Sequence, residues 1–188
     1  MGGISAMSSN ELTLTGLKLN LWVLFLGAPM WLLVSGFYVY TFGGSHYWKE
    51  VSHLMDAAII FILILGIVMH ELLHATTWMI LNRKGFRSVS FGFNSYSFTP
   101  YTHFRHPMKV WKYAIGGAMP GLLMGLIPLL LSYFLKSAIL NFIGFLFLWT
   151  AGGDIVSLWM LRKLNVNQLV LDHPDKMGCI VIEPEIKP

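Results

Sequence analysis

The chain has 188 residues, of which 55% are hydrophobic and 12% charged, with a formal net charge of +4. A soluble domain carries about twice that share of charge, so the composition excludes an ordinary water-soluble globule and makes the lipid bilayer the setting of a single domain. One cysteine excludes an internal disulfide and a thiolate-rich zinc site, and the weak, dispersed positive charge lacks the basic run that nucleic-acid binding needs.

Residues 1–18 are small and polar and read as a flexible N-terminus. Met1-Gly2 opens like a myristoylation signal, but Ala6 stands where serine or threonine is required. Leu19–Phe42 is apolar, long enough to cross a bilayer, and lacks a small-residue cleavage site after a short apolar core. It reads as a retained first span, not a signal peptide, and Pro29 predicts a kink in it. Gly43–Asp56 reads as a short polar loop carrying His46, Lys49, Glu50 and His53. Ala57–Leu81 is the second span. Its face Leu63, Gly66, Ile67, His70, Glu71, His74 and Thr77 is expected to point into the bundle, with Gly66 letting another backbone come close.

Residues 83–112 hold Arg83, Lys84, Arg87, Arg105, Lys109 and Lys112 and no acid. Within them Ser88–Thr99 alternates apolar and polar, which predicts a small β-hairpin over 86–103 turning at Asn94-Ser95. With Phe91, Phe93, Tyr96, Phe98 and Tyr101 on it, the hairpin reads equally as an edge that receives an extended peptide or as an anchor at headgroup level. Tyr113–Leu135, with Pro120-Gly121 and Pro128 inside, is the third span. Lys136-Ser137 turns the chain, and Ala138–Leu161, with Gly152-Gly153-Asp154, is the fourth. The membrane domain is then 19–165 and the tail 166–188, with short strands expected at 166–171 and 180–182 around the turn-like Asp172-His173-Pro174-Asp175. The expected architecture is an all-α membrane protein of four transmembrane helices, with a hairpin between the second and third and a short cytoplasmic tail. Basic residues collect on the cytoplasmic side. The 83–112 loop, Arg162 and Lys163 therefore place both termini in the cytoplasm of a multi-pass cell-membrane protein, and 43–56 and 136–137 outside.

The chemistry concentrates in the second span, at His70-Glu71-Leu72-Leu73-His74. Chance supplies only about 0.007 such patterns in a chain of this make-up. Four residues on a helix advance about 400° and rise about 6 Å, so the two imidazoles stack on one face and can share one Zn²⁺. Glu71 lies about 100° round from His70, beside the metal, where a carboxylate can take a proton from water. A catalytic zinc wants a third protein ligand and an open position. The second and fourth spans run in the same direction. His70 lies 13 residues into one and Asp154 lies 16 residues into the other, so the two share a depth. Asp154 is the only acid in its span, and a lone carboxylate at that depth is costly unless paired or metal-bound. The expected site is one zinc per chain held by His70, His74 and Asp154, with Glu71 as base. His103 and His106, after the hairpin on the same side, are rival ligands. His46 and His53 fall on the opposite face, and His173 reads as structural.

These pieces resemble a family of small bacterial multi-pass membrane proteins described as putative zincin peptidases and, more distantly, the site-2 class of intramembrane metalloproteases. The resemblance runs from about Ala57 to Gly178. It rests on His70-Glu71-Leu72-Leu73-His74, on Phe91-Gly92-Phe93 leading to Thr99-Pro100-Tyr101, on Pro120-Gly121, on Gly153-Asp154, and on Asp172-His173-Pro174 before Gly178. In the site-2 class the third ligand is an aspartate within Leu-Asp-Gly. Here Gly152-Gly153-Asp154-Ile155 carries the role without the local motif. The resemblance implies hydrolysis of a peptide bond in a membrane-anchored protein or peptide. Three other readings remain: a non-catalytic metal-binding sensor or scaffold, an ion relay through His70, Glu71 and Asp154, and a hydrolase acting on a non-peptide bond.

Overall fold

Two ends of a helical bundle are tied off in different ways, and the tie at one end positions the site. The computed structural model describes residues 10–14, 16–57, 59–94, 99–174 and 176–182. In chain order these form β1 (Asn10–Leu14), α1 (Gly16–Phe42), α2 (Gly44–Ala57), α3 (Ile59–Asn82), β2 (Val89–Asn94), β3 (Thr99–Phe104) and β4 (Met108–Lys109). There follow α4 (Val110–Pro120), a π-helical stretch (Gly121–Leu126), α5 (Ile127–Leu135), α6 (Ala138–Thr150), α7 (Gly152–Leu161), β5 (Leu169–Asp172) and β6 (Met177–Ile182).

The chain is mostly helical, as its apolar composition predicts. Val23–Phe42 of α1, all of α3, and the continuous run Val110–Leu135 are each long and apolar enough to cross a bilayer. α6 and α7 pass the same test as a pair, bent by 50° at a short break. Ala151 makes that break, with φ −75° and ψ 6°. Gly152 follows it because a Cβ there would meet the Val23 side chain at 2.6 Å. The bend starts a new helix just before Asp154, which therefore sits in the first turn of α7, at the end that favours negative charge. The π-helical stretch precedes Pro128, which has no N–H to continue the helical ladder. Gly66 accommodates the Phe147 ring, not the backbone that its small size led us to expect.

Three expectations need correcting. Residues 43–56 are not a loop: Gly44–Ala57 is the amphipathic helix α2. Tyr47 and Val51, one turn apart, are buried against Tyr38 and Ala138. Glu50 Oε2 accepts a hydrogen bond from Ala138 N at 2.8 Å, and His46 Nε2 lies 3.1 Å from the Lys136 carbonyl, so α2 closes over the Lys136-Ser137 turn. Within the stretch expected to be flexible, Asn10–Leu14 is a strand, because it finds an antiparallel partner in β6 with Leu12 opposite Cys179. The rest of that stretch up to residue 9 lies outside the described residues. Finally, an all-α class leaves out the four-stranded sheet that joins the helices: the strands expected at 166–171 and 180–182 are β5 and β6, and they assemble with β1 and β4 in the order β1-β6-β5-β4.

That sheet gathers the segments that lead into α1 and α4 and out of α7 at one end of the bundle. Val110 N donates to Gln168 O at 2.9 Å and Trp111 N to Val166 O at 3.1 Å, which fixes the start of α4 against the chain leaving α7. Glu11 of β1 accepts from Lys176 at 2.7 Å, and that amine holds its carboxyl below the usual range. The expected hairpin is present as β2 and β3, with Val89 opposite Phe104 and Phe91 opposite Thr102. Asn94 ends β2 opposite Thr99, and the rest of the expected turn, residues 95–98 with Tyr96 and Phe98, lies outside the described residues. Val89 and Phe104 join Ala75, Trp78, Tyr113, Val170 and Cys179 in the main core, so α3, the hairpin, α4 and the sheet share one apolar centre.

Candidate metal centre

His70 and His74 stand one turn apart on α3, with Nε2 atoms 3.2 Å apart. Asp154 reaches them from α7. Its Oδ2 lies 3.1 Å from His70 Nε2 and its Oδ1 lies 3.4 Å from His74 Nε2. A tetrahedron with zinc–ligand bonds of about 2.0–2.1 Å has edges of about 3.3–3.4 Å. The three separations lie at or just below that value, with a different carboxylate oxygen nearest each ring, and one ligand atom from each residue lies within 4.8 Å of the others. The donor set is two imidazoles and one carboxylate, which suits zinc. His74 is buried, while His70 and Asp154 are partly buried.

The other faces of these side chains are held by the fold. His74 Nδ1 donates to the Gly116 carbonyl at 2.9 Å, which leaves Nε2 as the ring nitrogen with a free lone pair. Trp78 stacks on His74 with ring centroids 5.3 Å apart, and Tyr113 stacks on Trp78 at 5.4 Å. Trp78 Nε1 donates to the Tyr113 carbonyl at 3.2 Å. Gly116 makes this packing possible, since a Cβ there would run into the Trp78 indole. The groups around the Glu71 carboxylate are His74, His70, Thr102 and Asp154. Thr102 Oγ1 donates to the Glu71 backbone carbonyl at 3.0 Å, which pins β3 of the hairpin beside the site.

A sequence-family model described as "Putative zincin peptidase" matches residues 63–169. The chain belongs to that family. No curated protein and no solved structure matches it. The matched segment includes every residue of the zincin-family cluster on α3 and α7, the hairpin, and the Gly116 carbonyl.

Within this zincin-family chain the structure brings His70, His74 and Asp154 together, with Glu71 beside them. Among the described residues this is the one group of histidine, cysteine and carboxylate side chains with metal-binding spacing. The rival histidines are elsewhere. His103 Nδ1 lies 3.3 Å from Asp172 Oδ2, and His106 packs its ring against Phe104. His46 is at the α2 end with Glu50, and His173 lies 3.8 Å from Glu11. Cys179 is buried beside Asp172, and burial pushes its thiol up to about 12, so it is not a ready thiolate.

Sequence reasoning missed three contributors: Gly116, Thr102 and Asp172. Gly116 acts through its carbonyl, which no residue identity reports. Thr102 sits on the inward face of an alternating strand, a signal that was present and unused. Asp172 is buried, accepts from Phe104 N at 3.0 Å and lies 2.9 Å from the Tyr113 hydroxyl, which also lies 3.0 Å from the Gly178 carbonyl. It braces the hairpin and the foot of α4 together.

Proposed function

We propose that this protein is a zinc-dependent, membrane-embedded peptidase of four spans, acting on a peptide bond in a membrane-anchored protein or peptide. The observation that carries the reading is the convergence of His70, His74 and Asp154, each with one ligand atom within 4.8 Å of the others, with Glu71 alongside. Zinc bound there supplies a Lewis acid for the scissile carbonyl and makes water acidic enough to ionise near neutral pH. Glu71 takes the proton from the attacking water as its oxygen bonds to the carbonyl carbon. It then delivers that proton to the amine as the carbon–nitrogen bond breaks. His74 keeps its ligand face toward the site through Gly116. The hairpin, pinned to α3 by Thr102, offers strand edges on which an extended substrate can lie, since among the described residues β2 and β3 pair only with each other. The sheet end is taken as cytoplasmic, because Lys109 and Lys112 adjoin β4 and Arg162 and Lys163 follow α7. Both termini then face the cytoplasm of the cell, with the bilayer as the constant partner.

The test has two parts. Detergent-purified protein is expected to hold about one zinc per chain, with binding lost in H74A and D154A and kept in E71Q. No metal in the native protein, even after zinc is added, would overturn the site. In cells, comparison of protein N-termini between wild type and E71Q is expected to show new termini near membrane spans only with wild type. Identical termini in both would overturn the peptidase.

A further inference from the structure

Away from the metal centre, a groove of about 440 Å³ runs between α4 and the end of α7. Its lining includes Trp111, Ala114 and Ile115 from α4, Leu158 from α7 and Leu164 beyond it, with Arg162 at the rim. The Arg162 guanidinium lies 3.4 Å over the Trp159 ring, and the Lys112 amine lies 5.6 Å from the centre of the Trp111 ring. Among the described residues no carboxylate lies within 4.0 Å of Lys112, Arg162 or Lys163. The rim sits where the candidate span Val110–Leu135 begins and where the bent pair Ala138–Thr150 and Gly152–Leu161 ends. Trp111 and Trp159 flank it in the manner of residues at a membrane interface.

We propose that this groove is a binding site for an anionic phospholipid. Its acyl chain lies along Ala114, Ile115 and Leu158, and its phosphate rests on Arg162 and Lys112. The argument is one of complementarity. The floor is hydrocarbon, Arg162 belongs to the lining, the Lys112 amine lies beside the lining ring of Trp111, and among the described residues no carboxylate pairs with either cation. That combination fits an amphiphile with an apolar tail and an anionic head. The stacked guanidinium keeps its N–H fork available for two phosphate oxygens, and basic recesses between helices at the cytoplasmic side are suited to anionic headgroups. The proposal does not depend on the metal centre or on peptidase action.

Native mass spectrometry of the full-length, delipidated protein tests it, using equal amounts of phosphatidylglycerol and phosphatidylcholine of the same chains. Wild type is expected to retain phosphatidylglycerol about 25-fold better. R162Q/K112Q is expected to remove most of that preference, at about a factor of five per cation near the surface. K84Q/R87Q, with the same loss of charge elsewhere, is expected to keep it. Because Arg162 also covers Trp159, R162K serves as the folded reference that preserves charge without the fork and should keep part of the preference. Equal retention of the two lipids by wild type would overturn the proposal. So would full retention by R162Q/K112Q, equal loss in K84Q/R87Q, a loss in R162K as large as in R162Q/K112Q, or displacement of phosphatidylglycerol by inorganic phosphate.

Discussion

Two aspartates, 154 and 172, each lie beside a histidine inside the same molecule, and their surroundings differ in kind. Asp172 is met by fixed donors: a backbone N–H from Phe104 and the Tyr113 hydroxyl, with His103 at its edge. Each of its oxygens has a donor at 3.0 Å or less, as buried polar groups require. Among the described residues Asp154 is met only by His70 and His74, whose own lone pairs can turn toward the same point. Donors that complete a carboxylate make a structural joint. Acceptors that converge with it make a place for a cation. The difference lies in what each carboxylate faces.

The sharpest way to break this comparison is to disable each aspartate in turn. D154N is expected to weaken zinc binding by more than about 100-fold, since losing even an outer partner of a ligand costs 10- to 100-fold. The metal-free protein should stay within about 1 kcal/mol of wild type, as an isosteric change in a hydrogen-bonded site allows. D172A should do the reverse. It leaves the Phe104 N–H without its acceptor, while the Tyr113 hydroxyl keeps the Gly178 carbonyl, at about 1–3 kcal/mol, and should still bind zinc in the folded fraction. Zinc titration and denaturant unfolding in detergent check both. Loss of zinc in folded D172A, or a large stability loss in D154N without metal, would erase the distinction.

Smaller effects sharpen it. G116A should push Trp78 aside and pull the carbonyl from His74 Nδ1. Zinc affinity is expected to fall about 10- to 100-fold, together with about 1–3 kcal/mol of stability from overpacking, by the same two measurements. T102V removes the hairpin's hydrogen bond to the Glu71 carbonyl and should cost about 1 kcal/mol of stability with zinc binding unchanged. An altered zinc affinity would mean that the hairpin shapes the ligands as well.

The smallest effect is at the far edge of the sheet. Lys176 holds the Glu11 carboxyl below its ordinary value, so its contribution is complete above the unfolded value of about 4.3. It is lost as pH falls through the folded one. Melting of wild type against E11Q between pH 7 and pH 3 should converge at the acid end. A difference that grows on acidification would reverse the sign.

Much of this arrangement is legible without coordinates. Long apolar runs mark the helices, because in an apolar setting a helix pairs its backbone groups within its own segment. Four-residue spacing puts His70 and His74 on one face, because helical geometry is local. Counting residues along two helices that run the same way puts Asp154 near the level of His70, because rise per residue is constant within a helix. What the sequence could not decide depends on partners far away in the chain. Asn10–Leu14 is a strand only because β6 lies beside it, and polar composition alone reads as flexibility. Gly44–Ala57 is a helix because Tyr47 and Val51 find Tyr38 and Ala138 to cover them, which its charged residues disguise. The bend at Ala151 that starts a helix at Asp154, the carbonyl of Gly116 on His74, and the donors that separate Asp172 from Asp154 are all tertiary contacts. Residue identity states which groups are available, and only the packed backbone states which of them meet.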